Sequence, residues 1–242
     1  MTKNILITGA SKGIGKQIAK GLVAEGYNVF LTSRNEETLQ QTLKEIGAKG
    51  YTVCDLSDKK DLESLSKFIE EKSIDILINN AGEYVYGEIE KMDYEQITKI
   101  FTTNLLAPTY LCSKVAERMK TQKWGRIVNI GSISGVMGEA YASLYSGSKA
   151  GLIGLTKALA LEFAQYNITV NTINPGWVET ELGLKSIEDS EFSLTETLET
   201  IPQRRFVEPK EVERLVNYLI SEDAKGVTGQ SINLCAGLSL GC

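Results

Sequence analysis

Short β-branched runs alternate with amphipathic stretches along the whole chain. The runs at 5–8, 28–32, 50–54, 74–79, 126–131, 169–174 and 231–234 predict strands. Between them, apolar residues recur at helical spacing over 15–25, 36–46, 59–72, 94–120, 143–165 and 209–221. Strands separated by helices imply βαβ units with right-handed crossovers. The expected fold class is therefore α/β, a doubly wound parallel sheet of about seven strands with helices on both faces. No Pro/Gly/Ser-rich linker or repeat interrupts the pattern, so a single domain over 1–242 is expected. One stretch departs from the alternation. Residues 181–201 are polar and acidic and lie between Asn174-Pro175-Gly176 and the last helix. At the carboxyl edge of a parallel sheet such an insertion is expected to be a substrate lid, with a surface insertion carrying a short helix as the alternative.

Composition narrows the chemistry. Hydrophobic residues are 42% and charged residues 24% of the 242, ordinary values for a packed chain. The net charge of -5 and the lack of a basic cluster argue against a nucleic-acid partner. No apolar run reaches membrane-spanning length, and the first residues lead at once into a strand, so neither a membrane span nor a secretory signal is expected. Cys54, Cys112, Cys235 and Cys242 form no Cys-x-x-Cys pair, which fits reduced thiols in a cytoplasm and no metal site. Histidine is absent. Every Ser-His or Cys-His arrangement is thereby excluded, and acid–base work falls to Tyr, Lys, Cys, Asp or Glu.

The first predicted strand runs into Gly9-Ala10-Ser11-Lys12-Gly13-Ile14-Gly15, and a helix follows. Bare backbone N–H groups at a helix start, with glycines allowing close approach, make a pyrophosphate site. A dinucleotide with a free ribose 2′-hydroxyl calls for an acid at the end of the second strand. Here that strand ends in Ser33-Arg34. Arginine's planar fork suits a 2′-phosphate instead, with Lys12 within reach of the same group, so the expected cofactor is NADP(H). Glu36 and Glu37 come slightly later and suit the start of the next helix.

Further motifs follow in order: Asp55, Asn79-Asn80-Ala81-Gly82, Asn104, Ser132, Tyr145-x-x-x-Lys149 and Pro175-Gly176-x-Val178-x-Thr180. With the glycine loop, they make the chain resemble the classical short-chain dehydrogenases/reductases, a Rossmann-type family, from Asn4 to about Gly237. The residues support a matching chemistry. Tyr145 and Lys149 are one helical turn apart and share a face. A nearby ammonium favours phenolate, so the tyrosine's pKa is expected to fall from near 10. Ser132 closes a strand at the edge where parallel sheets hold ligands.

The resemblance implies catalytic roles for Ser132, Tyr145 and Lys149, with Asn104 holding a water beside the lysine. It also implies that Gly9, Ser11, Lys12, Gly13, Ile14 and Gly15 surround the diphosphate and adenosine end. Ser33 and Arg34 are then expected at the 2′-phosphate, Asp55 and Leu56 at the adenine, and Asn80, Ala81 and Gly82 at the ribose. Pro175, Gly176, Val178 and Thr180 are expected at the nicotinamide, and Tyr145 and Lys149 at its ribose.

The chain is most similar to 3-oxoacyl-[acyl-carrier-protein] reductases, which implies reduction of a 3-oxoacyl thioester linked to carrier protein or CoA. Lys123 and Arg126 are candidates for a basic carrier-docking surface. Gln165-Tyr166-Asn167, where carrier-dependent relatives often have arginine, and the acids Glu181, Glu188, Asp189, Glu191, Glu196 and Glu199 count against it. A pathway-specific ketoreductase of a small ketone, sugar or secondary metabolite is the alternative. A non-catalytic dinucleotide-binding regulator is a more distant one. The resemblance further implies a homotetramer, or a dimer, paired through the 94–120 and 143–165 helices and the apolar 235–242 tail.

Overall fold

A computed structural model describes residues 2–181, 183, 187 and 193–240. The described residues form seven strands: β1 (Asn4–Thr8), β2 (Asn28–Ser33), β3 (Gly50–Val53), β4 (Ile76–Asn79), β5 (Gly125–Ile130), β6 (Ile168–Pro175) and β7 (Ser231–Leu234). They form one parallel sheet in the order β3-β2-β1-β4-β5-β6-β7. Residues of one strand feed both faces. Ile5 and Ile7 of β1 belong to one core cluster and Leu6 to the other. Every residue of β4, β5 and β6 is buried, as expected for strands covered on both sides.

Helices among the described residues include α1 (Gly13–Ala24), α2 (Glu36–Ile46), α3 (Lys59–Glu71), α4 (Tyr94–Phe101), α5 (Ala107–Gln122), α6 (Ser134–Met137), α7 (Ser143–Phe163), α8 (Leu194–Thr200) and α9 (Pro209–Ile220). Ile18 and Leu22 of α1 and Val212, Val216 and Leu219 of α9 pack on one sheet face. Leu65 and Ile69 of α3, Leu111 and Val115 of α5 and Phe163 of α7 pack on the other. Side-chain caps set several helix starts. Asn35 accepts from Thr38 N–H, Asp58 from Lys60 and Asp61 N–H, and Asp93 forms a capping box with Gln96. Glu36 and Glu37 occupy the first turn of α2, where the helix dipole favours them.

Two expectations need correction. The 94–120 segment is not one helix. A π-turn at Thr102–Leu106 separates α4 from α5. Pro108 lies in the first turn of α5, and its missing N–H leaves no regular bond to the carbonyl four residues back. Arg126 is not a docking residue. Its side chain is fully buried, stacks on Trp124, and donates to the Gly125 and Asn167 carbonyls and to Glu222. Lys123 is exposed, but it precedes β5 at the sheet edge away from the carboxyl ends. Of the expected lid, the described residues include α8, started by a Ser193–Glu196 capping box; Glu188, Asp189 and Glu191 lie outside the described residues.

Candidate active site

The strand order reverses between β1 and β4, and crossovers leave the sheet in opposite directions there. That leaves a crevice at the carboxyl ends. A cleft of about 820 Å³ occupies it. Its wall carries Gly9, Ser11, Lys12, Gly13, Ile14, Ser33, Arg34, Asp55, Leu56, Asn80, Ala81 and Gly82 at one end. Ser132, Tyr145, Lys149, Pro175, Gly176, Val178 and Thr180 complete it at the other. Of the residues expected at the site, Gly15 and Asn104 alone stand behind the wall.

Gly15 is there for space. A Cβ on it would overlap the Gly9 carbonyl oxygen and Asn80 Nδ2, while Gly9 holds a φ of +64°. Asn80 Nδ2 donates to the Thr8 and Gly9 carbonyls, so the loop and the end of β4 lock together. Gly15→Ala is expected to destabilise the fold by on the order of 1–3 kcal/mol, read by thermal or urea denaturation, because both neighbours must move. The start of α1 has neither a side-chain cap nor an acid in its first turn. Beyond it, Ser33 Oγ is buried without a hydrogen-bond partner among the described residues. These are the features of a surface shaped for an anion.

The cations of this end are held by acids, of which sequence reasoning passed over Glu83 and read Glu181 only as part of the lid. Arg34 pairs with Glu83, which Lys99 also approaches at 3.4 Å. Lys12 pairs with Glu181 at 3.0 Å, both side chains well exposed. Burial works to raise the Asp55 pKa, but two hydrogen bonds from Ser57 and the Arg34 and Lys99 charges outweigh it and hold the group below its usual value.

Tyr145 and Lys149 lie at the start of α7 and face the cleft together, Lys149 Nζ standing 5.6 Å from the Tyr145 ring centre. Lys149 is 3% exposed and donates to the Ile130 carbonyl at 2.9 Å. Burial alone pulls its pKa down to about 8. The expected fall of the Tyr145 pKa is not what the structure has. Burial pushes it up to about 12, with the nearby Ser132 hydroxyl opposing and the Glu139 charge adding to the rise. Desolvation of the phenolate is the largest cause, and the Lys149 charge is not among the influences that set the shift.

Asn104 sits in the π-turn, fully buried. Its Oδ1 accepts from Glu83 N–H, and its Nδ2 donates to the Glu83 carbonyl and to Ser148 Oγ. Both its oxygen and Lys149 Nζ lie close behind Gly82, where an added Cβ would meet them at 3.4 and 3.2 Å. Next to the tyrosine is a group the sequence did not single out. Ser132 Oγ bonds Ser134 Oγ at 3.2 Å, Ser134 Oγ donates to Glu139 Oε2 at 2.6 Å, and Tyr84 donates to Glu139 Oε1 at 2.6 Å. Tyr84 also packs edge-on against Tyr145, ring centres 5.1 Å apart.

The chain is similar to known proteins over nearly its whole length. The family model described as short chain dehydrogenase matches residues 3–191. An acetoacetyl-CoA reductase of an Acinetobacter species is 38% identical, with 98% of this chain and 97% of that protein covered. A 3-oxoacyl-(acyl-carrier-protein) reductase of Vibrio cholerae is 35% identical over 98% of this chain and 97% of its own length. The crystal structure of an actinorhodin polyketide ketoreductase variant with NADPH superposes with a TM-score of 0.93 at 37% identity, covering 98% of this chain and 97% of that one.

Proposed function

The chain belongs to the short-chain dehydrogenase family, and from that premise we propose that it uses Tyr145, Ser132 and Lys149 to reduce the ketone of a 3-oxoacyl thioester. It is an oxidoreductase of C=O groups with NADPH as reductant. The observation that carries the residue assignment is the meeting of Tyr145, Lys149 and Ser132 in one cleft with the glycine loop.

The residues fit the cofactor. The uncapped start of α1 suits the pyrophosphate, and Ser33 Oγ beside Arg34, without a partner among the described residues, suits the 2′-phosphate. Gly82 lets the chain pass close over Lys149 and Asn104. When bound, NADPH supplies the hydride. Ser132 and Tyr145 orient the carbonyl oxygen, and Tyr145 gives its proton to the oxygen as negative charge develops there. Lys149 then stabilises the phenolate from one helical turn away. Asn104 positions the Glu83 backbone and Ser148 behind the lysine, where a water can return the proton.

An assay of NADPH oxidation with acetoacetyl-CoA, a carrier-linked 3-oxoacyl chain and cyclic ketones tests this reading. Turnover of the thioesters is expected, and a tight NADPH complex inert to all of them would remove it. A second reading, a ketoreductase of a small pathway-specific ketone, draws on the burial of Arg126, which leaves Lys123 without its basic neighbour. Pairing of copies through α4, α5 and α7 is consistent with the exposure of Tyr94, Leu106 and Leu161, and we take the assembly as a homotetramer. No helix among the described residues is long and apolar enough to cross a membrane. The unpaired Cys54, Cys112 and Cys235 are in keeping with a cytoplasmic enzyme of one NADP(H)-binding domain.

Glu83 bears on cofactor choice. Its carboxylate competes with the 2′-phosphate for Arg34. Glu83→Gln is expected to lower the KM for NADPH by about two- to tenfold while moving that for NADH far less, since NADH has no phosphate to offer Arg34. Equal shifts for the two cofactors would exclude that competition.

A further inference from the structure

Glu139 is a carboxylate in the part of the cleft where a ketone must sit, and nothing in the hydride chemistry described above requires it. It is half-buried, and among the described residues no cation lies within ion-pair distance of it. Its hydrogen-bond partners are two neutral hydroxyls, Ser134 and Tyr84, one on each oxygen. A carboxylate has no proton to give, so both hydroxyls must donate to it. Ser134 Oγ is then left to accept from Ser132. An ionised carboxyl accepts about four hydrogen bonds, so about half of that capacity is still open.

We propose that Glu139, with Tyr84, receives a hydrogen-bond donor group of the substrate, a hydroxyl or an ammonium placed a few bonds from the reacting carbonyl. This rests on the ketone-reduction reading and narrows its substrate class. The placement follows from the chain of contacts. Glu139 stands two hydrogen bonds from Ser132, the residue that meets the carbonyl oxygen. The walls around it are aromatic. Tyr84 packs on Tyr145, Tyr86 on Tyr141 with ring centres 5.5 Å apart, and Trp177 lines the same cleft. Aromatic faces hold an apolar substrate body and tolerate a cation, whereas a partly desolvated carboxylate repels an anion. A substrate carrying a carboxylate at this position would meet like charge.

The test is a matched set of 3-oxoacyl N-acetylcysteamine thioesters of equal length, ending in methyl, hydroxyl, ammonium or carboxylate. For the unaltered protein with NADPH, kcat/KM is expected to be about tenfold higher for the hydroxyl or ammonium end than for methyl, and about 100-fold lower for carboxylate than for hydroxyl. In Glu139→Gln the hydroxyl-to-carboxylate ratio is expected to shrink at least about tenfold, whatever happens to absolute rates. An ammonium preference lost in that variant while the hydroxyl preference persists identifies the charged donor as the favoured one. All four ends handled within about threefold by the unaltered protein, or one common factor of loss in the variant, overturns the proposal. Should no thioester turn over, the reduction reading fails separately. Binding of the same four compounds to the protein–NADPH complex, followed by nucleotide fluorescence, then decides the matter, and the same order of affinity is required there.

Discussion

Tyr145→Phe is expected to lower kcat for ketone reduction by about 10³-fold or more, with the fold intact and NADPH affinity changed only severalfold. The change removes one oxygen from a ring that remains packed against Tyr84. What is lost is the proton donor and one of two groups that meet the developing alkoxide. The direction of the pKa shift sharpens this expectation. Burial holds the phenol protonated up to about 12, so at neutral pH the proton needed for reduction is in place. The reverse reaction, alcohol oxidation, needs phenolate and is expected to gain rate as pH rises. Steady-state rates in both directions, with NADPH binding followed by fluorescence, check the prediction. A Phe variant that reduces ketones at near-normal rate would leave Ser132, or a water, as the proton source and remove Tyr145 from the mechanism.

The parts of this site that were legible in the sequence are those built from local chain. The glycine loop must follow β1 and open α1, and Tyr145 and Lys149 must share a face, because both follow from spacing alone. The strands were legible because β-branched and apolar residues gather in short runs, even where buried Thr and Asn interrupt them as in β6. The break at Thr102–Leu106 had a signal, Pro108, inside a stretch that otherwise keeps helical period. Arg126 and Glu139 had none. In sequence one is a charge at the start of a strand and the other a charge in a loop, and only the fold decides that the first is sealed against Trp124 and the second faces Tyr84 across 55 positions of chain. The sign of the Tyr145 shift was hidden for the same reason. A neighbouring ammonium is visible at four residues' distance, whereas desolvation is a property of the assembled cleft.

Lys149 is the position where catalysis and stability pull apart most strongly. Lys149→Met is expected to cost about 10³-fold in kcat/KM, since the phenolate left by Tyr145 loses its stabilising charge. The same change is expected to raise the melting temperature of cofactor-stripped protein at pH 7 by about 3–6 °C, on the order of 1–2 kcal/mol for a chain of this size. The reason is that burial alone acts on the ammonium and lowers its pKa to about 8; the Ile130 carbonyl is a dipole and not a counter-ion. Methionine keeps the volume and drops the charge. The pH dependence fixes the sign. Between about 8 and 10.5 the folded protein has released the Lys149 proton while the unfolded chain still holds it, so the native state gains stability as pH rises through that window. Tyr145 acts oppositely at higher pH, its contribution being lost as pH climbs from 10 towards about 12. The advantage of the Met variant should therefore shrink between pH 7 and pH 10. Melting curves at the two pH values measure it directly. A variant less stable than the parent by the same amount at both would mean that the lysine serves the fold through its bond to Ile130, and that its buried charge costs the protein nothing.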